Sequence, residues 1–271
     1  MIDLILVLKL IFLGIVEGLT EFLPISSTGH LIVCADIINF DNEVASLFEI
    51  VIQLGAILAV VWLYRKKIFS LMKDGFKDKK SFDFIINLFI AFVPASLVGF
   101  FFHGIIKSYL FNPITVAFAL IFGGFAILYI ENKNIKQKTY EAFDITKKSA
   151  LIVGLAQILS LVPGVSRAGA TIMGGVCSGL SRKASAEFSF FLAIPIMFAA
   201  SFYDLYKSSS ILNSESVMII AVGFVSAFVS ALIVIKWFIK YISSNNFKPF
   251  GWYRILFGAF ILCVYYFVKG F

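Results

Sequence analysis

Apolar runs follow one another along this chain almost without pause, and that succession limits the fold more than any other feature. Six of them, at 47–64, 82–102, 113–130, 184–206, 216–239 and 252–268, are 17 to 24 residues long. A helix needs about 20 apolar residues to cross a hydrocarbon core of about 30 Å. Composition agrees: 60% of residues are hydrophobic and 14% are charged, against about half and about a quarter in a soluble domain. So much apolar surface does not fit inside one soluble core. The chain reads as an all-α polytopic membrane protein with six transmembrane helices.

Three further stretches are apolar but too short to span. Residues 4–16 and 31–38 flank the polar run Glu17-Gly-Leu-Thr-Glu-Phe-Leu-Pro-Ile-Ser-Ser-Thr-Gly-His30, and residues 149–162 lead into Pro163-Gly-Val-Ser-Arg-Ala-Gly-Ala-Thr171. Each set of arms reads as a re-entrant hairpin, over 1–40 and 149–182. Its polar tip at membrane depth needs cover from protein or water. Seventeen of the 23 Lys and Arg fall in four segments, 65–81, 131–149, 182–183 and 236–250. By the positive-inside rule these face the cytoplasm. Both termini are then outside, the first hairpin enters from outside and the second from inside. Pro94 is expected to kink its span. A short outer loop is expected around His103 and Lys107, with no special role for His103, and a turn at 243–246.

The two halves resemble each other. Leu13-Gly-Ile-Val-Glu17 matches Val153-Gly-Leu-Ala-Gln157, Pro24 to Ser27 matches Pro163 to Ser166, and Phe48-Glu49 matches Ala186-Glu187. Three spans per copy reverse the orientation of the second. Repeats over 1–135 and 136–271 would thus form an inverted-topology pair, as in many transporters.

The polar islands carry the chemistry. Glu17 and Glu21 are four apart and share one helix face. Two carboxylates at membrane depth repel each other and are costly. A divalent cation, Mg²⁺ or Ca²⁺, would relieve both penalties, and paired acids hold such ions beside phosphate oxygens. After Pro24, Ser26 or Ser27 can cap a new helix whose free N–H groups bind anions, with Thr28 beside them. Ser27 and His30 then lie one turn apart, so the imidazole can serve as base to the hydroxyl. Whether Ser27 attacks or only positions water stays open. The second island repeats the device through Ser166, Gly169 and Thr171, with Arg167 added. Guanidinium is the usual bidentate partner of phosphate. It can also pair with Glu17 or Glu21, and the two roles are compatible. Glu49, Gln53 and Glu187 either line the cavity between the islands or support the hairpins.

The net charge of +7 sits in short lysine-rich loops, so no nucleic-acid partner is expected. Cys34, Cys177 and Cys263 read as apolar packing residues without a disulfide or metal role. Asp3, Lys9, Glu17 and Glu21 interrupt the first apolar run, which argues against a cleaved signal peptide.

These residues resemble the bacterial undecaprenyl pyrophosphate phosphatases, also called bacitracin-resistance proteins. Glu17 and Glu21 match the family's first motif, Glu or Gln followed four later by Glu. Ser27 and His30 match its SSTGH stretch. Pro163, Gly164, Ser166, Arg167 and Thr171 match PGxSRSxxT, and Ala168 stands where the family usually has serine. Residues 48–60 and 186–195 are also similar to the family, so the likeness covers essentially the whole chain. It implies removal of the terminal phosphate from a C55 polyprenyl diphosphate, which recycles the carrier lipid for cell-wall synthesis. It also implies a divalent cation, the bacterial plasma membrane and a site open to the outer face. A homodimer is left open. A flippase or ion-coupled transporter on the same scaffold is the alternative, but moving a phosphate needs no nucleophile beside its clamp. A lipid phosphatase with two catalytic histidines is disfavoured because the chain has only His30 and His103.

Overall fold

The computed structural model describes residues 4–40, 45–75, 77–133, 135–207 and 214–269. Among them the chain forms α1 (Leu4–Thr20), α2 (Ser27–Ile37), α3 (Ala45–Asp74), α4 (Lys79–Leu110) and α5 (Pro113–Asn132). After a linker come α6 (Lys147–Ile158), α7 (Arg167–Cys177), α8 (Arg182–Lys207), α9 (Ser214–Ile242) and α10 (Lys248–Lys269). Six are long and apolar enough to cross a membrane: α3, α4, α5, α8, α9 and α10. The other four are the short arms, and α1 packs on α2 as α6 packs on α7.

Two expected loops are shorter than the sequence suggested. The lysine-rich segment after residue 64 stays helical to Asp74. Asp78 then caps α4 by accepting from the Ser81 amide at 2.9 Å. That bond and a second from the Ser81 hydroxyl hold its carboxyl below the ordinary aspartate range. The loop expected around His103 and Lys107 is instead the last part of α4, which runs to Leu110. The chain turns only at Asn112-Pro113, where Asn112 accepts from the Thr115 amide at 2.8 Å and proline starts α5. The side chains of His103 and Lys107 lie outside the described residues. Pro94 is inside α4 as expected, and residues 243–246 form the α9–α10 turn.

Small residues set the helix spacing. A Cβ on Gly18 would lie 2.1 Å from Ser230 Oγ and 2.3 Å from the Ala227 carbonyl oxygen. A Cβ on Gly14, one turn earlier, would lie 2.5 Å from the Gly223 carbonyl oxygen. This is the small-xxx-small contact that lets membrane helices approach backbone to backbone. At the end of α5, Glu131 takes a bidentate bond from Arg182, at 2.9 and 2.5 Å, and one from the Phe247 amide at 3.0 Å. One buried carboxylate thus joins α5, α8 and the α9–α10 turn.

The two runs of five helices correspond element by element. Helices α2 and α7 are each 11 residues long and start 140 residues apart. Ser26 caps the first and Ser166 the second, at φ 71° and 73°. The contact of α1 with α9 has its counterpart in α6 with α4, while α5–α10 and α3–α8 join equivalent elements. The structural register differs from the one suggested by the prolines. It pairs Ser26, not Ser27, with Ser166, because the capping geometry rather than the proline fixes where each helix begins. Ser27 and Arg167 therefore hold the same position, the first residue of a helix.

Candidate active site

Both hairpin tips open on one cavity of about 200 Å³, lined by Glu21, Ser26, Ser27, Thr28, Gln53, Ser166 and Arg167 among others. Local sequence explains the tips. Each chain segment must reverse sharply between an apolar arm and a new helix. Ser26 and Ser166 do so in the left-handed region, which costs a non-glycine residue about 1–3 kcal/mol. Serine rather than glycine stands there because its hydroxyl caps the helix. Ser26 Oγ accepts from the Gly29 amide at 3.4 Å, and Ser166 Oγ from the Gly169 amide at 3.0 Å. The first-turn amides of both helices have no intrahelical partner.

Glu21 is the centre of the site. One oxygen accepts from the Ser27 hydroxyl at 2.6 Å and the other from Arg167 Nη2 at 2.7 Å. The Arg167 and Glu21 side chains are only 13% and 10% exposed, so water screens the pair little. The guanidinium is held from behind. Its Nη1 donates to the Ser189 carbonyl at 3.2 Å and to Ser189 Oγ at 3.4 Å, and it lies over the Phe22 ring. Arg167 Nε is buried without a partner, which leaves one donor to spare.

Glu17 lies behind this pair, fully buried, and neither carboxylate oxygen has a hydrogen-bond partner. Glu21 and Glu49 are close enough to repel it, and Arg167 close enough to attract it. An ionised carboxylate in that position is expensive, and a proton or a cation would relieve it. Among the described residues no three His, Cys, Asp or Glu side chains gather as a metal cluster. The acids fit a cation unequally: Glu17 has both oxygens to offer, whereas each Glu21 oxygen already accepts one bond.

Several expected contacts are rearranged. His30 does not reach Ser27. Its Nδ1 is 2.7 Å from the Ser26 carbonyl and so carries the proton, and its Nε2 is 2.6 Å from the Tyr253 hydroxyl, which donates to it. The ring stacks on Phe257 at 4.3 Å. With both nitrogens spent, His30 braces the first loop, and the acceptor beside the Ser27 hydroxyl is Glu21. Thr171 does not face the cavity either. Its hydroxyl donates to the Arg167 carbonyl at 2.8 Å and meets Ser189 Oγ at 2.7 Å, so it orients the serine that holds Arg167. Gly169 lines a separate apolar groove. Glu187 is buried away from the cavity with Tyr64 and Lys67, the latter 3.9 Å away, because the helical extension of α3 brings that lysine to it. Glu49 lies on α3 near Glu17, and Gln53, one turn further along, lines the cavity. Ala168 is fully buried in the apolar cluster with Phe22 and Phe190, so a hydroxyl there would face the core.

Sequence reasoning missed two residues. Ser189 gave no signal, being one serine in an apolar span. Arg254 did give one: it is the charged residue inside the apolar run 252–268, and such residues are functional candidates by default.

A helical multi-pass membrane protein that brings a carboxylate between the serine and the guanidinium that begin two helices belongs to the class of membrane-embedded enzymes of phosphate chemistry. Comparison with known proteins gives the narrower placement. The family described as "Bacitracin resistance protein BacA" matches residues 10–260, and the chain belongs to it. An "Undecaprenyl-diphosphatase" of Dechloromonas aromatica is 51% identical over 98% of this chain and 97% of its own length. Proteins of the same name from Nitrosomonas europaea and Acinetobacter baumannii are each 52% identical. The first match covers 97% of this chain and 96% of the relative, the second 94% of both. These are names of an enzyme, not of a transporter. The chain is a multi-pass membrane protein, and its bacterial relatives point to the inner membrane.

Proposed function

We propose that this chain hydrolyses undecaprenyl diphosphate to undecaprenyl phosphate and inorganic phosphate. That activity returns the carrier lipid to peptidoglycan synthesis and underlies bacitracin resistance. The observation that carries the reading is the Ser27–Glu21–Arg167 chain of hydrogen bonds, at 2.6 and 2.7 Å. In it one carboxylate both receives a hydroxyl proton and orients the phosphate-binding cation.

The terminal phosphate enters the cavity and takes the spare donor of Arg167 and the uncapped first-turn amides of α2 and α7. Ser27 Oγ attacks the terminal phosphorus while its proton passes to Glu21. The bond from phosphorus to the bridging oxygen breaks, and undecaprenyl phosphate leaves with that electron pair. Glu21 gives that proton up to the departing phosphate. Water then attacks the phosphoserine, the carboxylate takes its proton and returns it to Ser27 Oγ as the bond from phosphorus to that oxygen breaks, and inorganic phosphate is released. Positioning and charge stabilisation supply most of the acceleration in such transfers. Glu17, with Glu21 assisting, would hold a divalent cation, which when bound supplies positive charge to the phosphate oxygens and to the buried acids.

The lysine distribution supports a site open to the outer face. The matching caps and contacts support two inverted copies over 1–135 and 136–271. The test is phosphate release by purified protein from undecaprenyl diphosphate, with and without a strong chelator. Release should be fast, stop after one phosphate and fall in chelator. Absence of release would overturn the activity, and full activity in chelator would overturn the cation.

A further inference from the structure

Arg254, on α10, is 1% exposed. Among the described residues it has no carboxylate partner, yet all three of its nitrogens are bonded. Nη1 donates to the carbonyls of Pro24 at 3.1 Å and Val165 at 2.8 Å. Nη2 donates to those of Gly164 at 2.9 Å and Ala119 at 3.0 Å, and Nε to that of Leu120 at 3.3 Å. Three of these five acceptors are the tips of the two hairpins. One of them comes from the first half of the chain and two from the second.

The acceptors sit at the strained points. Pro24 is two residues before Ser26, and Val165 immediately precedes Ser166, the two serines with positive φ. A non-glycine residue stays in that region only where its surroundings over-determine it. A trans peptide points its N–H opposite to its C=O, and no peptide bond among the described residues is cis. With the Val165 carbonyl drawn to Arg254, the Ser166 amide faces the other way. Room for the guanidinium is built in: a Cβ on Gly123 would lie 2.1 Å from Nη2, and one on Gly169 would lie 3.2 Å from Nη1.

We infer that Arg254 is a positioning residue for the phosphate site. It acts as a single clamp that sets the separation of the Ser27 loop from the Arg167 loop and the direction of the amides between them. It touches no substrate. The inference rests on the reading that the two loops form the phosphate site.

The test compares Arg254→Met and Arg254→Lys with Glu131→Gln, which removes a buried charge at the distant α5–α8 junction. Thermal unfolding in detergent ranks the stability of each, and kcat and KM are measured for each. Arg254→Met should lower kcat at least 100-fold more than Glu131→Gln at an equal loss of melting temperature. KM should change less than kcat. Arg254→Lys, with three donors and the charge kept, should recover part of kcat. Adding Arg167→Ala to Arg254→Met should cost at least tenfold less than it costs the parent, because the arginine is no longer aligned. If Arg254→Met loses no more kcat than Glu131→Gln at matched stability, or if the Arg167→Ala cost is unchanged in its background, the positioning role is wrong. Should Arg254→Met fail to fold, Arg254→Lys carries the same double-variant comparison. If Ser27→Ala and Arg167→Ala themselves keep full turnover, the site reading fails rather than the clamp.

Discussion

Replacing Glu21 with glutamine removes the charge around which the site is built while keeping its shape. The carboxylate accepts one bond on each oxygen, from Ser27 and from Arg167. Glutamine keeps a single acceptor, so at least one bond is lost and an NH2 group is turned toward a donor. As a base for Ser27, the carboxylate is worth about 10²–10⁴ in rate. The charge pair adds a structural part. Both side chains are nearly buried, and removing one partner of a buried pair costs about 3–5 kcal/mol. Glu21→Gln should therefore lower kcat by about 10²–10⁴ and lower thermal stability clearly, with KM changed far less. Assayed by phosphate release in detergent micelles, the Glu21→Gln/Ser27→Ala double variant should be about as slow as the slower single one. Residues acting as a unit are not additive. Near-normal kcat in Glu21→Gln, or losses that multiply in the double variant, would refute a shared proton-transfer role.

Substrate labelled on its terminal phosphate and quenched early should leave label on Ser27. Label absent there, with Ser27→Ala still turning over, would replace the serine by water. His30→Ala should be slowed less than Glu21→Gln and keep the pH–rate profile, since the imidazole braces the loop; loss of a limb near neutral pH would restore it as base. Gly18→Val should abolish folded expression, because the side chain would overlap Ser230 and the Ala227 carbonyl; a stable, active variant would show that α1 does not need its close seat on α9. Cysteines at Lys77 and Phe111 should react with impermeant reagent from the cytoplasmic and outer sides respectively, and the reverse pattern would invert the proposed orientation.

The sequence by itself determined the membrane class, the six spans and both polar islands, because long apolar runs and isolated charges are local signals. Their lengths and breaks follow from backbone and lipid chemistry that any single stretch expresses. It also named Glu21, Ser27 and Arg167, whose residue types announce phosphate chemistry without reference to the fold. Which partners these groups take was decided only by the tertiary structure. His30 lies three residues from Ser27, but the helix that carries it points its ring at Tyr253, 223 residues away. Thr171 meets Ser189 for the same reason: side-chain direction is set by packing, not by spacing. Arg254 shows the limit most clearly. Its partners are carbonyls, which every residue possesses, so no pattern of residue types could say that one guanidinium would bind both loops.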